Sequence, residues 1–218
     1  MSNVINFELY PSKVGGKLLV VAPHPDDETI GCGGTILRLL EKGVDVRVLI
    51  LTYNENSVRG KEAVAAMNSL GITEYAFLDL PDGNVKLTWE KRNWIENWLK
   101  EWEPTSWFVP HGLDPHPDHR SAYEITHSLV KSNQYVYFYE VWSPLPVYNC
   151  SVDITISYPR KERALAYYES QEERHYIIRS ASTLTQFRGS SRPIRKCERA
   201  EVFFVSSGAA WKLGGNLK

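Results

Sequence analysis

Apolar runs of strand length alternate with longer stretches of helical period through at least the first 145 residues of this chain. Lys17–Ala22 (KLLVVA) predicts a first strand, and Gly31–Lys42 a helix with Ile36, Leu39 and Leu40 facing inward and Gly43 as its stop. Val44–Thr52 predicts a second strand, Arg59–Leu70 a helix stopped by Gly71, and Tyr75–Leu80 a third strand ended by the turn Pro81-Asp82-Gly83. Trp89, Trp94, Ile95, Trp98, Leu99 and Trp102 fall close to one face of the next helix, a stripe that reads as a helix glued to a sheet. Strand Trp107–Val109, helix Arg120–Val130 and strand Tyr135–Trp142 follow. Beyond Pro144 the pattern weakens to a strand near Ser151–Ser157, helices over Pro159–Tyr168 and near Arg174–Phe187, and a last strand Ala200–Val205. The alternation predicts an α/β fold, a mainly parallel sheet with helices on both faces. Nothing divides it, so one domain is expected over 17–205, between an N-terminal extension (1–16) and a C-terminal tail (206–218).

Composition adds mostly exclusions. With 43% hydrophobic and 23% charged residues the chain has the makings of an ordinary globular core. A formal net charge of −1 gives no pull toward nucleic acid or an anionic membrane, so neither is an expected partner. No apolar run reaches the roughly 18–20 residues that span a bilayer, and the start MSNVINFELYPSK lacks the order of a secretory signal. The expected location is cytoplasmic. Cys32, Cys150 and Cys197 are odd in number and contain no CxxC pair, which argues against disulfides and a cysteine-rich zinc module.

The chemistry is concentrated in two short clusters. VVAPHPDDETIGCGG, Val20 to Gly34, ends an apolar run with His24, Asp26, Asp27 and Glu28 and then opens through glycines into a helix. His116-Pro117-Asp118-His119 follows the second such run, Trp107 to Pro110. Ionised carboxylates are rarely buried unless paired or bound to a metal, and ligands of open α/β sheets collect at the carboxyl ends of strands. His24 and Asp27 stand at i and i+3, as do His116 and His119, so each pair falls on one side of a helical first turn. Two histidines and a carboxylate with one open position suit catalytic zinc, which lowers the pKa of bound water toward about 7, and a neighbouring carboxylate then serves as general base. Spacing alone leaves open whether Asp26 or Asp27 is the ligand. Capping of helix starts is the plainer explanation for one such cluster, and it weakens when two follow strands. Glu28 reads either as a helix-start carboxylate or as a group orienting a ligand histidine, and Cys32 as a packed residue.

At these clusters the sequence resembles the zinc-dependent de-N-acetylases related to the N-acetylglucosaminyl-phosphatidylinositol deacetylases, the PIG-L or LmbE-like family. APHPDDE (Ala22 to Glu28) looks like the family's first signature and HPDH (His116 to His119) like its second. Weaker similarity runs over residues 17–205: Arg59-x-x-Glu62 before Leu70-Gly71, LPDG at Leu80 to Gly83, Asp114, Ser170-Gln171, and AEVF at Ala200 to Phe203. The resemblance implies a Rossmann-like fold, and zinc (or iron(II) or another divalent ion) held by His24, Asp27 and His119. It implies Asp26 as general base, His116 as the group that stabilises or protonates the tetrahedral centre, and Asp118 orienting one histidine. The implied substrate is an N-acetylglucosamine-type sugar conjugate. The chain departs from the pattern at Thr52-Tyr53-Asn54-Glu55-Asn56, where many members carry a glycine-containing turn.

The implied reaction is hydrolysis of the acetamide, with Asp26 as proton carrier and a protonated His116 holding the developing charge. For the substrate, Arg59, Tyr53 and Arg188 are the candidate binding residues, and Tyr53, Trp142 and Tyr148 could stack on a sugar ring. Arg160 to Arg199 carries ten basic against five acidic residues, an excess that suits a phosphate or carboxylate on the aglycone, or simply a solvated surface. The rival readings are a zinc hydrolase of a non-sugar amide or a phosphoester, and a non-enzymatic protein with a structural metal, which would normally close the site with four protein ligands.

Overall fold

The structure, a computed structural model, describes residues 16–171, 174–191 and 197–213. Most of the expected N-terminal extension therefore lies outside the described residues. Strands β1 (Lys17–Ala22), β2 (Asp45–Thr52), β3 (Glu74–Leu80), β4 (Ser106–Pro110), β5 (Tyr135–Tyr139), β6 (Cys150–Asp153) and β7 (Ala200–Ser207) form one sheet in the order β3-β2-β1-β4-β5-β7-β6. β1 to β5 pair in parallel, while β7 runs antiparallel to both of its neighbours. Helices α1 (Asp27–Leu40), α2 (Val58–Leu70), α3 (Trp89–Leu99), α4 (Pro117–Leu129), α5 (Tyr158–Leu165), α6 (Arg174–Ser190) and α7 (Gly208–Lys212) complete it. None of the described helices is long and apolar enough to cross a membrane.

The two-residue period of the strands divides the core. Leu18, Val20 and Ala22 of β1 face one layer with Ile36 and Leu37 of α1, Ala63 and Met67 of α2, and Leu165 of α5. Leu19 and Val21 face the other, with Ile95 and Leu99 of α3 and Ala122 and Tyr123 of α4. Each fully buried aliphatic side chain is worth about 1.5–3 kcal/mol of apolar transfer, so burial on both sides holds the central strands. The expected parallel α/β domain is thus present.

Three details differ from expectation. α1 begins at Asp27 rather than Gly31, because its first turn (Asp27, Glu28, Thr29) is polar yet buried and so gives no apolar period. The tryptophan stripe is only half glued: Ile95, Leu99 and Trp102 are buried, whereas Trp89 is 72% exposed and Trp94 stacks on Trp98 at 5.7 Å. The supposed tail from 206 continues the fold. β7 runs to Ser207, whose hydroxyl caps α7, and Trp211 is buried against Tyr123 and Phe138 with its indole N–H donating to the Tyr123 hydroxyl at 2.8 Å.

α1 runs beneath the site, and its hydrogen-bond ladder takes partners from other elements. Lys161 Nζ donates to the Ile30 carbonyl at 2.6 Å and to Glu201 Oε1 at 2.7 Å. The Glu201 carboxylate in turn accepts from the backbone N–H of Gly34 at 3.0 Å and of Thr35 at 2.7 Å. A buried ion pair thus braces the middle of this helix against α5 and β7. Close packing here also demands glycine: a Cβ at Gly31 would lie 2.2 Å from a ring carbon of Tyr139 and 2.8 Å from the Glu140 carbonyl. The Gly31→Ala variant is expected to lose about 1–3 kcal/mol of stability through overpacking, read from urea unfolding; wild-type stability would mean that Tyr139 moves aside freely.

Candidate metal centre and active site

β1 and β4 are adjacent parallel strands, with Leu18, Leu19 and Val20 opposite Ser106, Trp107 and Phe108. The order turns back at β1, whose other neighbour is β2, and this switch point opens a crevice beyond the strand ends. The first cluster leaves β1 and the second leaves β4, so both arrive in that crevice. His24 and His116 ring centroids lie 4.7 Å apart, His24 and His119 5.4 Å, and His116 and His119 5.0 Å.

Asp27 sits among these rings. Its Oδ2 is 3.1 Å from His24 Nδ1 and 3.2 Å from His119 Nε2, and accepts from the His24 backbone N–H at 2.9 Å. Burial opposes ionisation of Asp27, but the facing histidines outweigh it and hold its carboxyl well below the usual range. Burial likewise disfavours charged His119, yet Asp27 and Asp114 push its pKa up to about 10. Asp118 reaches His24 Nε2 at 3.1 Å and is fixed by the backbone N–H groups of Gly83 (2.6 Å) and Val85 (3.0 Å). Asp114 Oδ1 lies 3.3 Å from His119 Nδ1 and accepts from the His116 backbone, while its Oδ2 accepts from Trp142 N–H. His116 caps α4: its Nδ1 accepts from Asp118 N–H at 3.2 Å, leaving Nε2 to carry the proton of the neutral ring.

Asp26 stands beside this group with φ of 127° and ψ of −29°, outside the left-handed helical region and strained for a residue with a side chain. Burial, then the charge of Asp27, pushes its pKa well above the ordinary carboxylate value, while Arg59, 3.4 Å from Oδ2, pulls the other way. Glu28 does not touch a histidine. Its carboxylate accepts from the Asp26 backbone N–H (3.2 Å), the Thr29 hydroxyl (2.7 Å) and the Tyr168 hydroxyl (2.6 Å), and so it holds the turn that aims Asp26.

A cavity of about 580 Å³ opens over these groups, lined by His24, Asp26, Asp27, Arg59, Asp82, His116, Trp142, Ser170, Gln171 and Ile177. Tyr53 is not among the lining residues but stands behind Arg59 and Asp82. Arg188 is also elsewhere: its buried guanidinium is consumed by the Glu140 carboxylate and the Leu145 carbonyl, with Tyr148 stacked on it at 5.1 Å. Within the basic segment, Lys161 pairs with Glu201, Arg160 with Glu41, and Arg199 lies over the Tyr158 ring at 3.9 Å, while Arg192, Arg195 and Lys196 lie outside the described residues.

The donor set fits a divalent cation. Asp27 Oδ1 is buried without a hydrogen-bond partner, a cost of about 1–3 kcal/mol that an ion would relieve, and the His119 ring nitrogens face Asp27 and Asp114 at 3.2 and 3.3 Å without hydrogen-bond geometry. His24, His116 and His119 offer ring nitrogens within 4.8 Å of one another, as do the donors of His24, Asp82 and Asp118. Sequence reasoning gave no role to Asp82, which lies 3.2 Å from His24 Nε2, or to Asp114, although both stand in the short motifs that carry the resemblance. Nothing in local spacing reveals which histidine an outlying carboxylate will meet.

The signature of the GlcNAc-PI de-N-acetylases (PIG-L) matches residues 19–130. The diacetylchitobiose deacetylase of Thermococcus kodakarensis is 28% identical over 177 residues, 74% of this chain; the match spans 62% of that protein's length. Among solved structures, the N,N'-diacetylchitobiose deacetylase of Pyrococcus horikoshii superposes with a TM-score of 0.78 at 24% identity, over 92% of this chain and 87% of that one. GalB, the 4-carboxy-2-hydroxymuconate hydratase of Pseudomonas putida KT2440, gives 0.76 at 19% identity, over 87% and 95%. The fold thus serves more than one reaction. The signature match runs through both clusters and over half of the sequence, and the chain belongs to the GlcNAc-PI de-N-acetylase (PIG-L) family.

Proposed function

We propose that this protein is a metal-dependent N-deacetylase that hydrolyses the acetamide of an N-acetylglucosamine-type sugar conjugate, releasing acetate and a free amine. The observation that carries this reading is a buried carboxylate with a raised pKa, Asp26, at the edge of the His24–Asp27–His119 group on the floor of an open cavity. Those three residues would hold the ion. Asp27 is a better third ligand than His116, because its Oδ2 lies between the other two donors while His116 Nδ1 is occupied by a backbone N–H. A divalent ion held there, zinc foremost and iron(II) next, would supply an acidified water and positive charge to offset the developing oxyanion.

The chain's own residues do the rest. Asp26 takes a proton from the attacking water and returns it to the leaving amine, and its raised pKa suits both steps. Glu28 and Arg59 keep the Asp26 carboxylate aimed. His116 lines the cavity and donates from Nε2 to the oxygen that becomes negative. Burial and the neighbouring histidines lower its pKa, so the donor is a neutral ring rather than the protonated one expected from the sequence. Preorganised donors of this kind are worth about 3–4 kcal/mol of barrier. Asp118 and Asp114 orient His24 and His119.

The test is acetate release from a panel of N-acetylglucosamine conjugates, before chelation, after it, and with zinc restored. Release that chelation abolishes and zinc restores is the expected result. Release indifferent to chelation would remove the metal, and no release from metal-loaded protein would remove the deacetylase.

A further inference from the structure

Tyr53, in the loop between β2 and α2, has φ of 57°, a left-handed conformation that bulky side chains rarely adopt. Glycine would carry that angle without strain but would bring no side chain, and this one makes specific contacts. The Tyr53 hydroxyl donates to Asp82 Oδ2 at 2.7 Å and accepts from an Arg59 terminal nitrogen at 3.2 Å, while the guanidinium lies 4.7 Å from the ring centroid. Arg59 comes from α2 and Asp82 from the turn after β3, and both line the cavity. Their other contacts lead to the proposed chemistry, Arg59 to Asp26 and Asp82 to His24 Nε2. The Tyr53 loop is joined again to the end of β3, where Asn54 donates to Asp79 at 3.1 Å, and Asp79 also has positive φ, 53°. The loop therefore has a second anchor that does not depend on the tyrosine hydroxyl.

We propose that Tyr53 is a positioning residue that sets specificity: its hydroxyl fixes the Arg59 guanidinium and the Asp82 carboxylate at one spacing, presenting a donor beside an acceptor to neighbouring hydroxyls of a sugar ring. This rests on the deacetylase reading above. It also changes the role of Tyr53 from touching substrate to holding two residues that do.

The Tyr53→Phe variant keeps the ring, its stacking on Arg59 and the Asn54–Asp79 anchor, and removes only the hydroxyl. We expect KM for an N-acetylglucosamine conjugate to rise about tenfold, the loss of a hydrogen bond to a charged group, with kcat changed less than about twofold because the other Arg59 terminal nitrogen keeps the Pro25 carbonyl at 3.2 Å and Asp26 at 3.4 Å. Affinity for free glucosamine, measured by calorimetry, should fall by a similar factor, and preference over the matching N-acetylgalactosamine conjugate should shrink. Tyr53→Asn, which tolerates the left-handed backbone, should show the same losses. A merely structural role would instead lower thermal stability and move kcat and KM together, and that result overturns the proposal. Unchanged KM, glucosamine affinity and epimer preference beside an active wild type would overturn it alone. A wild type that neither releases acetate nor binds glucosamine would remove the deacetylase reading and this proposal with it.

Discussion

The Asp26→Asn variant is expected to retain its metal and its fold and to lose about 10²–10⁴ in kcat for acetate release, the span contributed by a positioned general acid–base group. Asparagine has nearly the same shape, carries the same backbone strain as aspartate at φ 127°, and keeps an oxygen for Arg59, so the backbone need not rearrange. What disappears is a group that alternates between charged and neutral. Asp26 is suited to that exchange because burial and Asp27 disfavour its charge while Arg59 prevents the carboxylate from being lost altogether. Metal content and circular dichroism measured beside kcat separate a chemical defect from a folding defect. Wild-type turnover in a metal-loaded variant would take the base role away from Asp26.

The Lys161→Met variant is expected to lose about 3–5 kcal/mol of stability, the cost of leaving a buried charge without its partner. The Lys161 and Glu201 side chains are 0% and 2% exposed, so water does not reach the vacated position to compensate. The Glu201 carboxylate would keep only the two helix N–H donors, and the Ile30 carbonyl would lose the ammonium that serves it. Adding Glu201→Gln removes the stranded charge but keeps an acceptor oxygen for only one of those N–H groups, so the double variant should recover part of the loss. Denaturant midpoints for the two variants decide the matter. A single variant as stable as the wild type would show that the pair contributes little.

Much of this was legible in the chain because periodicity and clustering are local. The strands and most helices follow from apolar spacing, and the two clusters point to one place because each follows a strand that the topology makes adjacent. Long-range pairing was the part that stayed out of sight. Arg188 reads from the sequence as a candidate substrate-binding residue, but Glu140, a buried carboxylate distant in sequence, takes it. Glu28 reads from the sequence either as a helix-start carboxylate or as a partner for a histidine, and it stands in the first turn of α1 where its partner is Tyr168, distant in sequence. Trp211 lay in apparent tail sequence because a single buried anchor in a five-residue helix makes no periodic pattern. Asp82 and Asp114 sat in view within motifs, yet their tasks depend on which ring each meets in space.

The buried ion pair that braces α1 bears on how the molecule is made. Ile30, Gly34 and Thr35 take their partners from α5 and from β7, elements that leave the ribosome long after α1. A nascent chain that ends before β7 lacks the Glu201 carboxylate, so Lys161 has no counter-ion and α1 is not yet braced at mid-length. The helix that carries Asp27 is braced by the last of the seven strands in chain order. Premature termination products should therefore stay unfolded at the site and open to proteolysis, instead of accumulating as half-built copies that sequester metal.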